Sequence, residues 1–194
     1  MGVIKSALEI ALEKTEAVKS DKSSIDQFEA KQQGKRLANA FLDGEVDLAR
    51  EIKNEPADRI ESLKQGVFDV LITQVALPAG NEDEKRIEKV GKGLEAIIKN
   101  GKFTAMFKQL TLIFSQYIQE ADHYEKAIRQ QYGPKLRQKE EELSRRLGRE
   151  VRIDPFQDPE FVAFYNQNMN ALKGKYEEVI ATSKEEIRRM FEDG

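Results

Sequence analysis

The chain has 194 residues, enough for one or two domains with a buried core. Charged residues make up 35% and apolar residues 39%, more charge and less apolar content than a typical globular domain, which favours elongated helices with narrow buried stripes. The 32 basic and 35 acidic residues nearly cancel, so no net field exists to hold nucleic acid, and the absence of cysteine excludes disulfides and thiolate metal sites.

At the N-terminus, Ile4, Ala7, Leu8, Ala11, Leu12, Thr15 and Val18 recur at steps of three and four, the spacing of one apolar helix face. Met1, Gly2 and Ser6 also fit the short myristoylation pattern, a motif that chance matches easily. Lys5, Glu9 and Glu13 interrupt any apolar core of a signal peptide. The run KSDKSS predicts a break, with a second helix capped near Ser24 to Asp26 and running to Leu42, although its polar middle KQQGKR weakens the pattern. Asp43-Gly44 predicts a stop, followed by a short helix through Val46, Leu48, Ala49 and Ile52.

Pro56 opens the most apolar segment, predicted as a helix to Leu77 with Ile60, Leu63, Val67, Phe68 and Leu71 at its buried centre. Its longest apolar run, Val67 to Leu77, is too short to span a bilayer and contains Asp69 and Gln74. Asn81 and Glu84 have capping-box spacing ahead of a helix through Ile87, Val90, Leu94 and Ile98, which Asn100-Gly101 closes. Gly91 and Gly93 match no phosphate-cradling spacing and read as helix-packing or terminal glycines.

From Lys102 a long stripe begins: Phe103, Met106, Phe107, Leu110, Ile113, Phe114, Tyr117 and onward to Ile128. Gly133-Pro134 predicts a kink or short break near Tyr132, after which only Leu136, Leu143 and Leu147 continue the stripe. Gly148 supplies a stop, and Val151 to Pro159 is the one clearly non-helical stretch. Asp158, Pro159 and Glu160 then give the strongest helix start in the chain: an N-cap, a proline in the first turn and an acid behind it. The return segment, Tyr165 to Met190, repeats at nearly heptad spacing.

The fold class expected is all-α: an N-terminal helical bundle over residues 1–101, and a long antiparallel coiled-coil-like helical hairpin over 102–194 with its tip near 148–159. Simple antiparallel zipping from that tip would set Leu147 near Phe161, Leu143 near Tyr165 and Leu136 near Leu172.

Chemistry is sparse. Glu120 and His123 form a Glu-x-x-His element, but helical di-metal sites use that element twice and this is the one histidine, so no metal or other cofactor is expected. A lone histidine without a motif-bearing serine argues against acyl transfer, and carboxylates such as Glu140 to Glu142 read as a solvated charge run, so no catalytic residue is assigned. The most unusual feature is the tip, where Arg145, Arg146, Arg149 and Arg152 cluster near Phe156. Arginines beside aromatics can dock phosphate, carboxylate or RNA bases, and equally stabilise a helix C-terminus. The reading that follows is a non-enzymatic, cytoplasmic adaptor or scaffold with a protein partner at its arm, expected as a homodimer. The alternative is an accessory nucleic-acid or phosphate-ligand binder using the same arginines.

Overall fold

The computed structural model describes residues 7–194, and the side chains from Ser23 onward except that of Asn81. The lipidation motif at Met1, Gly2 and Ser6 lies outside the described residues. Within them the protein is all-helical, with no strand: α1 (Ala7–Asp43), α2 (Leu48–Asn54), α3 (Ile60–Thr73), α4 (Glu84–Ile97), α5 (Phe103–Leu147) and α6 (Pro159–Glu192). Among the described residues no helix is long and apolar enough to cross a membrane.

Helix continues across two places where the residues suggest an interruption, a break at KSDKSS and a kink or short break at Gly133-Pro134. The KSDKSS run lies inside α1, because serine and aspartate cost a helix only tenths of a kcal/mol each and neither proline nor glycine is there to stop it. Helix α5 likewise runs through Pro134. Proline removes one amide donor, and the carbonyl left without it belongs to Gln130, an exposed residue that water can serve. By contrast, the Asp43-Gly44 stop is real: Gly44 sits at φ 87°, a left-handed conformation that an L side chain resists.

The chain divides into two compact units. One contains α1, α2, α3, most of α4 and Met190–Gly194; the other contains Ala76–Lys85 and Gly101–Arg189.

In the first unit α1 and α3 cross backbone to backbone. A Cβ added to Gly34 would overlap the Leu63 carbonyl, and one added to Gly66 would overlap that of Lys31. The polar middle of α1 is thus a crossing point, which explains why glycine sits in an otherwise unpatterned stretch. Lys31 and Asp69 close one side of the crossing at 2.9 Å, while Gln33, Glu55 and Arg59 link α1 to the start of α3. Asp47 caps α2 by accepting from the amides of Ala49 and Arg50. Helix α3 is shorter than the apolar run implied, since Pro56 first makes a turn closed by Arg59 and Ile60 amides. Gly93 has Phe41 and Leu71 against it with no room for a Cβ, and the Phe68 and Phe191 rings stack at 4.2 Å.

In the second unit α5 and α6 touch through side chains at pairs that run in opposite chain directions. Tyr117 meets Tyr176 edge to face at 5.2 Å, and Tyr132 meets Phe161 at 5.3 Å. Ile128, Tyr132 and Phe161 form a buried cluster, with Leu136, Phe164, Tyr165 and Met169 packed around it. Phe161 therefore lies against Tyr132, not against Leu147 as simple zipping requires, and Leu147 is 57% exposed. Helix α6 starts about four turns short of the end of α5.

Candidate functional site

That offset has a local cause, found in residues 148–158. Gly148 ends α5 in the left-handed conformation at φ 65° and sends the chain back along the helix it has just left. Residues 150–154 belong to no helix or strand. Two of their alternate amides, those of Val151 and Ile153, donate to α5 side chains, Ser144 Oγ at 2.9 Å and Glu140 Oε1 at 2.8 Å. Asp154 then accepts from the Phe156 amide at 3.0 Å and opens a 3₁₀ turn over Pro155–Gln157.

The strap ends at Asp158, one of two buried charged residues among those described. Its carboxylate caps α6 by accepting from the Glu160 amide at 2.9 Å, as the Asp-Pro-Glu sequence requires. The same carboxylate holds the Lys139 ammonium at 2.7 and 3.0 Å, and Lys139 reaches Glu160 at 2.8 Å. Lys135 adds a second contact to Glu160 at 2.9 Å. The Tyr132 hydroxyl lies 3.4 Å from Asp158 and 3.3 Å from Glu160, so its one proton serves either carboxylate.

The electrostatics follow from this geometry. The hydrogen bond from Lys139 holds Asp158 below the usual carboxylate range, overcoming the opposing effect of its burial. Lys135 first, and Lys139 second, draw Glu160 down to about 2. Lys139 is raised by its bonds to Asp158 and Glu160, and burial pushes Tyr132 up. The result is a clasp that fixes the start of α6 on the middle of α5.

The arginines singled out from the sequence all lie on the exposed surface around this strap, but not as one cluster. Arg145 faces Glu141 at 3.6 Å and Arg152 faces Glu150 at 3.2 Å. With Arg137 and Glu140 these residues line an open groove of about 630 Å³. Arg146 lines a different groove, of about 410 Å³, with Lys139, Leu143, Ile153 and Asp158. Among the described residues neither Arg146 nor Arg149 has a carboxylate partner. Phe156 lines neither of these grooves. It packs on Phe161 and Tyr165 at 5.3 and 5.2 Å, with the Arg129 guanidinium 5.0 Å above its ring, and stays 45% exposed.

A family model described as a family of unknown function, DUF6657, matches residues 49–189. The chain belongs to that family. The match begins within α2 and takes in α3 to α5, the whole strap and α6 as far as Arg189, so the clasp residues lie inside the matched span. No curated protein and no solved structure matches the chain.

Sequence reasoning missed the α5 half of this site. Arg129, Tyr132, Lys135 and Lys139 recur at steps of three and four, so the helical period puts them on one face, and that spacing was the available signal. The motif around His123 takes no part: His123 is exposed, and Glu120 accepts a hydrogen bond from Tyr176, whose hydroxyl is raised chiefly by burial and then by that bond. Among the described residues no three ligating side chains gather to hold a metal ion.

Proposed function

We propose that this DUF6657 chain is a non-enzymatic interaction protein of the adaptor or scaffold kind, in which α5 and α6 form an antiparallel, coiled-coil-like hairpin arm and the end of that arm binds a protein partner. One observation carries the reading. The last four or so turns of α5 are covered by the strap instead of α6, and this end combines exposed Leu147 with Arg146 and Arg149, which have no carboxylate partner among the described residues. Exposed arginines and large apolar groups close together are the usual composition of an interface centre.

The charge pattern favours a protein over a polyanion. Five arginines from Arg137 to Arg152 are interleaved with Glu140, Glu141, Glu142 and Glu150, so the surface is mixed and not a basic stripe. A photo-crosslinking side chain placed at Arg149, in the protein's own host, should give a discrete adduct with one protein, while the same group at exposed Lys173 should not. Identical adducts at both positions, or none at either, would refute the reading. The alternative, a phosphate or nucleic-acid ligand, rests on Arg146 and Arg149 alone. It would replace the first if RNA or DNA binding fell steeply with salt and disappeared in an R146E/R149E variant.

A further inference from the structure

We infer that the first half of α1 is a self-association face that pairs antiparallel with the same segment of a second copy of the chain. The starting observation lies on the described side chains. Every residue from Ser23 to Glu29 is exposed, two full helical turns with no cover from the rest of the chain, yet this stretch carries Ile25 at 57% and Phe28 at 63% exposure. Helix continues N-terminally from there to Ala7. An exposed stretch of helix gains little stability in water by itself, and one that carries apolar side chains is stabilised by a partner laid along them.

The sequence of α1 specifies what partner fits. Counted in heptads, Leu8, Thr15, Lys22 and Glu29 fall at one seam position, and Ala11, Val18 and Ile25 at the other. A parallel pair of identical helices would set Lys22 against the partner's Lys22 and Glu29 against the partner's Glu29. Its flanks would also oppose Lys14 to the partner's Lys19, and Asp21 to the partner's Asp26. Four like-charge juxtapositions argue against that arrangement.

Reversing one copy removes all four. Leu8 then lies opposite the partner's Ile25, Thr15 opposite the partner's Val18, and Ala11 opposite the partner's Lys22, whose aliphatic stem can cover the small residue while its ammonium reaches water. On the flanks Lys14 falls beside the partner's Asp21, and Ala7 beside the partner's Phe28. Each contact occurs twice about the two-fold axis, so a closed dimer results, not an open chain. The occupant is therefore a second copy, chosen by charge complementarity, and the inference uses a different element from the proposed arm.

The test exploits the absence of native cysteine. The 194-residue chain should run in light-scattering chromatography at twice its 22.2 kDa mass, and an I25D/F28D variant at the single-chain mass with its helix content kept. Reversing one charge, D21K, should weaken the dimer at least tenfold, and adding K14D should restore it. Orientation is read by mild oxidation of mixed L8C and I25C chains. Crosslinks should form between L8C and I25C chains and not between two I25C chains, whose residues would be separated by about 25 Å at ~1.5 Å per residue. A monomeric wild type, a dimer untouched by I25D/F28D, or efficient I25C self-crosslinking would each overturn the inference.

Discussion

Replacing Asp158 by alanine removes two contributions at once. Its carboxylate is the cap of α6, and losing a cap costs about 1 kcal/mol. It also accepts twice from Lys139, a charge-assisted contact in a nearly closed setting that contributes about 1.5–3 kcal/mol. Lys139 keeps Glu160 and is one-third exposed, so part of the second contribution survives. A net loss of about 2–3 kcal/mol is expected. Asp158→Asn keeps a capping oxygen while discarding the charge, and should lose about half as much. The protein offers a selective readout: it has no tryptophan, and its five tyrosines, Tyr117, Tyr124, Tyr132, Tyr165 and Tyr176, all lie on α5 or α6. Tyrosine fluorescence during urea unfolding therefore reports the paired helices alone. If both variants unfold within about 0.5 kcal/mol of wild type, the spread expected of a surface change, the clasp contributes nothing and the reasoning fails.

Two further outcomes follow from the same structure. Gly66→Ala should destabilise the first unit by about 1–3 kcal/mol even though alanine is the better helix former, because its Cβ meets the Lys31 carbonyl across the α1–α3 crossing; thermal unfolding by circular dichroism checks this, and a Tm at or above wild type would mean the helices are not in backbone contact. The clasp also makes the contact between α5 and α6 acid-sensitive. Asp158 and Glu160 are both depressed in the folded state, so their contribution is present above the ordinary carboxylate range and is lost as pH falls through their folded values, about 2 for Glu160. Tyrosine-monitored stability should decline from about pH 5 toward pH 2, and a Lys139→Met variant should show a shallower decline. An equal slope in both proteins would place the acid sensitivity elsewhere.

Much of the fold can be read in the residues themselves. Asp158-Pro159-Glu160 defines the start of α6 because cap, proline and acid act within one turn, and Gly44 and Gly148 end helices because only glycine accepts their left-handed backbone without strain. The errors lie where a local preference meets a larger context. Ser23 and Ser24 favour caps in isolation, yet inside a long helix their cost is too small to break it, and exposed Pro134 is tolerated because its missing bond falls on the solvent side. The site was harder still. The path of the strap depends on Glu140 and Ser144, whose side chains look like any others on a charged helix until Val151 and Ile153 arrive to use them. The resulting displacement of α6 along α5 is what leaves the last turns of α5 to the strap.

That displacement is directly measurable. With no native cysteine to interfere, spin labels can be placed at exposed pairs Lys126/Gln167 and Arg137/Ala171, and their separations read by pulsed electron resonance. Pairing Tyr132 with Phe161 sets the first pair side by side and leaves the second about 22 Å further apart along the helix axis, at ~1.5 Å per residue. A short distance for Lys126/Gln167 and a long one for Arg137/Ala171 is the expected result. The reverse would show α6 zipped to the end of α5, with no place left there for the strap.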